Sequence, residues 1–458
     1  MKISIFLGFV LCMLFINPFG FYGNAAVILW GWYVLQLIFN SQHIIAFREF
    51  VLVLYGMNYL LSPALSYNDV EQATGLYSMK IPQEDYFVMA IPAMLCLQAG
   101  LFMIKTSIFK PNFSLPKLHS ALNIYVLKVW LWVGIACLFL QSYVPGELAF
   151  FLFLISGIRY IAVFGLFIID KNRFKWYLLL VLLLEVIVSI RSAMFHDMVM
   201  WLIFFSIFLS YFLKLKVWHK LVLGSVAVML FFVLQVSKNE YRRATWYGTG
   251  ETGIETFQDV TSKSIEEGLF TETNISGAVS RVNQAWIFAS TVERMQRVRD
   301  YQGMYLVGLY LESAILPRFI APNKISSGNK EIFNKFSGHY IRGSTSMGLG
   351  VFADGFIAYG YWGVLVFAMI LGLMFGLVFK IVEGWAEISP FFIFFIFPLL
   401  LYAVRPDCET QTLIGHMVKG LIVFGVMMSF YRKSFAKKIS VSKRQAAMRE
   451  AKGSPGYV

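Results

Sequence analysis

The feature that most constrains this chain is a succession of long apolar runs with almost no charge. They lie near residues 3–18, 24–39, 49–66, 86–104, 123–143, 148–169, 176–190, 197–213, 220–237, 362–382, 389–404 and 412–430. A helix rises only ~1.5 Å per residue, so crossing the hydrocarbon core of a bilayer takes about 20 mostly apolar residues. In lipid every backbone N–H and C=O must be paired within the protein, which leaves helices or closed barrels. Runs of this length predict helices. The expectation is an all-α polytopic membrane protein with about 12 transmembrane helices and one large extracytoplasmic helical loop. Composition agrees: 58% of the residues are hydrophobic, 17% aromatic and only 14% charged, far from the soluble average. The first run follows Met1 and Lys2 as a signal peptide would. No small-residue cleavage site follows, however, and Pro18 to Asn24 lead into another run, which predicts a retained membrane helix.

Orientation follows from where Lys and Arg fall in the short loops. With a cytoplasmic N-terminus, Lys2, Arg48, Lys105, Lys110, Lys117, Lys171, Arg173, Lys175, Lys214, Lys216, Lys220 and Lys380 share one side, against Lys80, Arg191 and Arg405 on the other. An even number of spans returns the basic tail after Tyr431 to the first side, so both termini are expected in the cytoplasm. The formal charge of +13 is thus mainly a topology signal, with added attraction to anionic membrane lipid. No aromatic and basic residues interleave as a nucleic-acid surface would require, so no nucleic-acid partner is expected. Four segments result: an N-terminal membrane bundle (1–237), an extracytoplasmic loop with membrane-surface helices (238–361), C-terminal membrane helices (362–431) and a basic cytoplasmic tail (432–458).

In the loop, Val282, Ala285, Trp286, Ala289, Val292 and Met295 recur at helical spacing and form one apolar face. That face either packs on the bundle or lies on the membrane. The loop's cations, among them Arg243, Arg281, Arg318, Lys324 and Arg342, nearly balance its acids, so loop charge bias does not explain them. Cys12, Cys96 and Cys137 fall within apolar runs and Cys408 stands alone, so no disulfide framework is implied. No GxxxxGK[ST], GxSxG or HExxH motif and no Cys/His metal spacing occurs, which removes the usual marks of phosphate-loop hydrolysis, serine hydrolysis and zinc proteolysis. The acid pairs Asp69/Glu71 and Asp407/Glu409 are the residual candidates for a divalent ion. The expectation is chemistry with no metal and no cofactor.

Charges within apolar runs are more telling, because an arginine at the bilayer centre costs at least ~2.5 kcal/mol on insertion scales. Arg159 and Lys419 lie inside such runs, with Glu185 and His416 near them in depth, which calls for pairing among these groups or with backbone carbonyls. Arg191 in VSIRSAMF and Arg405 in YAVRPDCE fall at the expected outer boundary. Arg318 follows Pro317, whose φ is fixed, and Lys324 follows Pro322, so LPRFIAPNK predicts a stiff turn that presents two cations. Arginine binds phosphate oxygens in a fork and stays charged. Three outer-facing arginines point to a pyrophosphate clamp.

The order SIRSAMF, SRVNQAW, AILPRFIAPNK and GLGVFADGFIAYGYWG resembles that of the Wzy-type O-antigen and capsule repeat-unit polymerases, relatives of the O-antigen ligases. The resemblance covers roughly the second half of the chain and its topology. It implies a membrane glycosyltransferase similar to the GT-C kind, in a bacterial inner membrane, that takes undecaprenyl-pyrophosphate-linked oligosaccharide, with a chain-length-regulating membrane protein as a further partner. It also implies that Arg191, Arg281, Arg318 and Arg405 meet pyrophosphate or acceptor glycan, with Lys324 adding a point charge. Displacing an activated pyrophosphate needs stabilised charge on the leaving group and a base for the acceptor hydroxyl. The candidate bases are His339 in KFSGHYIRGS, Asp354 in VFADGF and Glu240 in SKNEYRR. An O-antigen ligase would use the same donor with another acceptor. A lipid-oligosaccharide flippase should show two similar halves, and nine runs before the loop against three after it do not.

Overall fold

The computed structural model describes residues 2–69, 75, 77–106, 122–169, 174–192, 195–242, 254–266, 268–318, 320–341 and 347–452. Glu71, Lys110, Lys117, Lys171, Arg173, Arg243 and Arg342 lie outside the described residues, as do the side chains of Glu240 and of 433–452. No strand occurs among the described residues. The helices are α1 (Lys2–Ile16), α2 (Gly20–Asn40), α3 (Phe47–Asn68), α4 (Gln83–Met103), α5 (Ile124–Leu140), α6 (Gly146–Ser156), α7 (Ile158–Ile169), α8 (Phe174–Ser192) and α9 (His196–Phe212). There follow α10 (Val217–Arg242), α11 (Ile254–Glu266), α12 (Glu272–Val282), α13 (Ala285–Val298), α14 (Gly303–Ile315), α15 (Lys330–Ser337), α16 (Val351–Ile388), α17 (Ile396–Leu400) and α18 (Thr410–Lys452). Where helices start in polar sequence the cap is visible: the side chains of Asn123, Thr271 and Asn329 accept from the amides of Tyr125, Asn274 and Ile332. Among the described residues eight helices are long and apolar enough to cross a membrane, which makes this an all-helical polytopic membrane protein.

Other apolar runs fold differently. Residues 3–18 give only the 15-residue α1. The run at 389–404 becomes a 3-10 segment, Pro390–Phe395, then α17 and turns. Pro390–Leu400 is too short to span ~30 Å as a helix. The reason is physical: Phe391 to Leu400 are buried in protein, so their apolarity fills a core rather than faces lipid. Pro398 also withholds a backbone donor.

The chain forms two compact units, each from discontinuous segments. The first holds 1–105, 186–376 and 401–416, the second 106–185, 377–400 and 417–458. In the first, polar contacts fix helix directions. At one end Lys2 Nζ donates to Asn40 Oδ1 (3.4 Å), Asn40 Nδ2 to Glu49 Oε1 (3.0 Å), Arg48 Nη2 to Ile104 O (2.7 Å) and Lys220 Nζ to Ile38 O (2.6 Å). At the other, Gln83 Nε2 donates to Phe19 O (2.9 Å), Asn68 Nδ2 to Pro18 O (2.5 Å) and Tyr22 OH to Glu84 Oε1 (2.8 Å). Successive helices α1 to α4 therefore alternate in direction. Lys2, Arg48 and Lys220, which the loop charges assign to one side, meet at one end.

Helices α4 and α16 cross backbone to backbone. A Cβ on Gly100 would strike Met369 O, and one on Gly372 would strike Leu97 O, so only glycine permits this approach. Gly100→Leu is expected to cost roughly 3 kcal/mol or more, read as loss of the monodisperse peak in detergent gel filtration. Gly224→Leu, at a site where nothing lies within 4 Å, should keep it. A normal peak for Gly100→Leu would refute the crossing.

In the second unit, Arg159 on α7 forms an ion pair with Glu185 on α8, both buried. Its Nη1 donates to Ser156 O (2.6 Å) and its Nη2 to Tyr160 OH (2.7 Å). The cation within an apolar run is thus neutralised inside protein, as its cost requires. Phe394 and Phe397 stack on Phe164, and Trp130 meets Phe391 and Phe395. These rings hold α5 and α7 around the 390–400 segment.

Candidate functional site

The site is built where the starts of two helices, α16 and α18, meet the side of a third, α14, in the first unit. Helix α16 breaks at Tyr359 and Gly360, whose φ of 61° and ψ of −143° suit glycine. In a straight helix Gly355 and Gly363 would stand ~12 Å apart along the axis. Instead, a Cβ on Gly355 would lie 2.6 Å from Gly363 O. The first arm, Val351 to Ala358, is therefore folded back on the second. The glycines of GLGVFADGFIAYGYWG permit this, Gly360 at the bend and Gly355 and Gly363 where the two arms touch.

On that arm Asp354 is fully buried. Its Oδ1 accepts from Tyr310 OH on α14 (2.7 Å), and its Oδ2 accepts from Thr410 N (3.1 Å) and Thr410 Oγ1 (2.6 Å) at the start of α18. One carboxylate thus joins three helices, and at Thr410 it meets the positive end of a helix. Glu409 Oε2 accepts from Gly328 N (3.0 Å) and Gln411 Nε2 (2.7 Å). Burial pushes the Glu409 carboxyl up to about 7; the Gly328 amide opposes that rise, and the negative Asp354 adds to it.

The surrounding segments close on this junction. Gln284 Nε2 donates to Gly348 O (2.9 Å) and Leu349 O (3.3 Å), Tyr59 OH to Pro406 O (3.3 Å), and Thr412 Oγ1 to Ser327 Oγ (2.8 Å). Ile325 N donates to Ser313 Oγ (2.9 Å), and Gly415 packs on Ala314. Residues from SRVNQAW, AILPRFIAPNK, GLGVFADGF and the start of α18 therefore form one connected assembly.

Comparison with family models, curated proteins and solved structures finds no match for this chain.

The structure redistributes the residues singled out from sequence. Arg405 turns its fork on Asp407, with Nε at 3.1 Å from Oδ1 and Nη2 at 2.7 Å from Oδ2. A bidentate partner inside the same short loop makes Arg405 a brace for that loop rather than an open phosphate fork. Asp354 is likewise a junction: both its oxygens are engaged and none of it is exposed. Lys324 Nζ donates to Leu316 O (2.7 Å), which closes the turn after α14, and Arg318 stands exposed on that turn. A turn follows Pro317, with Ile320 N and Ala321 N donating to Pro317 O (3.0 and 3.1 Å) and Lys324 Nζ bonded across it.

His339 lies half-buried against α13. Its Nε2 is 2.9 Å from Ser290 Oγ, and its ring meets Trp286 edge-on at 5.1 Å. Burial, then the positive charge of Lys80, pulls its pKa below the usual histidine value, against a smaller upward pull from Glu293, which favours the neutral, proton-accepting form. Arg191 ends α8 and Arg281 ends α12, both exposed. Neither helix takes part in the bonds that tie the junction together.

Of the two alternatives for the loop's apolar face, packing within the protein is the one observed. The apolar face on α13 is buried in protein, with Ala285, Trp286, Ala289, Val292 and Met295 all enclosed, so this face does not lie on the membrane. Val282 belongs to the preceding helix, because Asn283 and Gln284 interrupt the pattern. Tyr310 and Thr410 escaped sequence reasoning: a tyrosine in GMYLVGLYLESAI and a threonine in ETQT carry no local mark of a buried carboxylate between them. Among the described residues no three His, Cys, Asp or Glu side chains gather so as to hold a metal ion.

Proposed function

We propose that this chain is a membrane glycosyltransferase that joins undecaprenyl-pyrophosphate-linked oligosaccharide repeat units into surface polysaccharide on the outer face of a bacterial cytoplasmic membrane. The observation that supports it is the meeting, around Asp354, of three of the four segments that resemble the Wzy-type polymerases, SRVNQAW, AILPRFIAPNK and GLGVFADGF, without SIRSAMF. Segments distant in sequence that gather at one buried carboxylate suit a functional centre better than a set of unrelated loops. In this reading Arg318 presents its fork to the donor pyrophosphate from a turn that Pro317 and Lys324 hold in place, which lowers the entropy lost on binding. Arg191 and Arg281, at the ends of α8 and α12, would supply further charge to the donor. His339 takes the proton of the acceptor hydroxyl, since both oxygens of Asp354 are engaged. The transfer uses no metal: the C–O bond of the donor breaks towards pyrophosphate as the acceptor oxygen bonds to the anomeric carbon. The partners are the lipid-linked donor, the bilayer and a membrane protein that sets chain length.

The test is deletion of the gene followed by electrophoresis of the cell's glycolipids. Single repeat units capped on the lipid core support a polymerase. Free long polymer left on the carrier lipid overturns the reading in favour of a ligase. Complementation with Arg318→Lys sharpens the outcome, because lysine keeps the charge and loses the fork. A charge-assisted bond of roughly 1.5–3 kcal/mol predicts about one to two orders of magnitude less polymer at normal protein level. Wild-type polymer length from Arg318→Lys would remove Arg318 from the donor site.

A further inference from the structure

Helix α14 has two opposed faces of unusual contrast. Leu306, Tyr310, Ser313 and Ala314 are at most 8% exposed, whereas Met304, Tyr305, Leu311 and Ile315 are 67%, 69%, 42% and 50% exposed. On a helix the second set falls on a single side, at positions i, i+1, i+7 and i+11, and Gly308 on that side has nothing within 4 Å. The 13 residues of α14 reach only ~20 Å, too little to cross a bilayer. The exposed side is also continuous with a face of a spanning helix. Gln302 N donates to Ile357 O (2.9 Å), Tyr359 approaches Gly303 and Tyr301 approaches Gly360, so the start of α14 is fixed at the bend of α16. Just beyond that bend, Trp362, Val366 and Ile370 are exposed at every fourth residue along the long apolar arm.

We infer that α14 is an interfacial helix, with Met304, Tyr305, Leu311 and Ile315 seated in the lipid of one leaflet as an extension of the lipid-facing side of α16. Glu312, the helix's one charge, is exposed at the edge of the same side and sets the depth, since a carboxylate stays at the headgroup level while its neighbours enter the acyl region. Tyr305 and Trp362 suit that boundary, with apolar rings and a polar atom each. The turn that carries Arg318 begins two residues after Ile315, so the seat brings that cation to the height of lipid phosphates. The inference stands apart from the glycosyl-transfer reading, because any membrane role would use such a seat.

The test is photocrosslinking of the full-length protein in vesicles of phosphatidylethanolamine and phosphatidylglycerol. p-Benzoylphenylalanine replaces Met304, Tyr305 or Leu311 in turn, and the intact mass is measured after irradiation. Expected is the added mass of one phospholipid at each of the three positions, with none for Arg297→p-benzoylphenylalanine on the solvent side of α13. Protein dimers at the three positions in place of lipid adducts would overturn the inference in favour of a second chain. Unmodified mass there, or adducts equal to those at Arg297, would overturn it in favour of water.

Discussion

Arg159→Ala is expected to destabilise the protein by roughly 3–5 kcal/mol, the usual effect of leaving one partner of a buried ion pair without the other. Glu185 would remain buried with no cation to meet. The double replacement Arg159→Met with Glu185→Leu should recover most of that loss, because it removes both charges from an apolar setting. Thermal unfolding of the purified protein in detergent measures all three. Equal midpoints for Arg159→Ala and the wild type would mean that the pair is not held in the folded protein, and a double variant no better than the single one would mean that Arg159 acts through its own packing.

The second large effect is at Asp354. Asp354→Ala removes the acceptor for Tyr310 OH, Thr410 N and Thr410 Oγ1 at once. Each buried donor left unsatisfied costs about 1–3 kcal/mol, so the variant is expected to lose both folded protein and polymer. Asp354→Asn separates positioning from proton transfer. Its carbonyl oxygen can still serve Thr410, and its NH2 can donate to the Tyr310 oxygen, so the protein should accumulate normally and keep polymer of near wild-type length. His339→Gln should accumulate equally well and, on the proposed function, yield single repeat units. Polymer lost in Asp354→Asn at normal protein level would instead make Asp354 the base and end the assignment to His339.

How far the sequence reveals this fold depends on which residues an apolar pattern can distinguish. Runs such as 86–104 and 412–430 correspond to helices long enough to cross a membrane, because length and hydropathy are what a bilayer selects. The run at 389–404 has the same apolarity for another cause, enclosure among Trp130, Phe164 and each other, and hydropathy does not separate the two. The helical face on α13 was legible; its burial was not, since periodicity gives a face without naming its neighbour. The exposed side of α14 was hidden in the opposite way: GMYLVGLYLESAI is apolar nearly all round, so no stripe stands out. At the site, Asp354, Lys324 and Arg405 could be picked out as charges beside apolar runs. Their partners, Tyr310, Leu316 O and Asp407, come from chain crossings and local turns that residue spacing does not encode.

The discontinuity of the first compact unit has a consequence for biosynthesis. Its last segment, residues 401–416, brings Pro406 to Tyr59, a separation of 347 positions, and supplies Thr410 to Asp354. A ribosome that has made the first 400 residues has inserted most of the apolar helices, yet Asp354 still lacks both donors from Thr410. Closing the 347-residue separation between Tyr59 and Pro406 is slow compared with forming local helices. The junction is therefore among the last parts of the protein to form, and a chain that terminates before residue 405 would leave a nearly complete helical assembly with its central carboxylate unclasped.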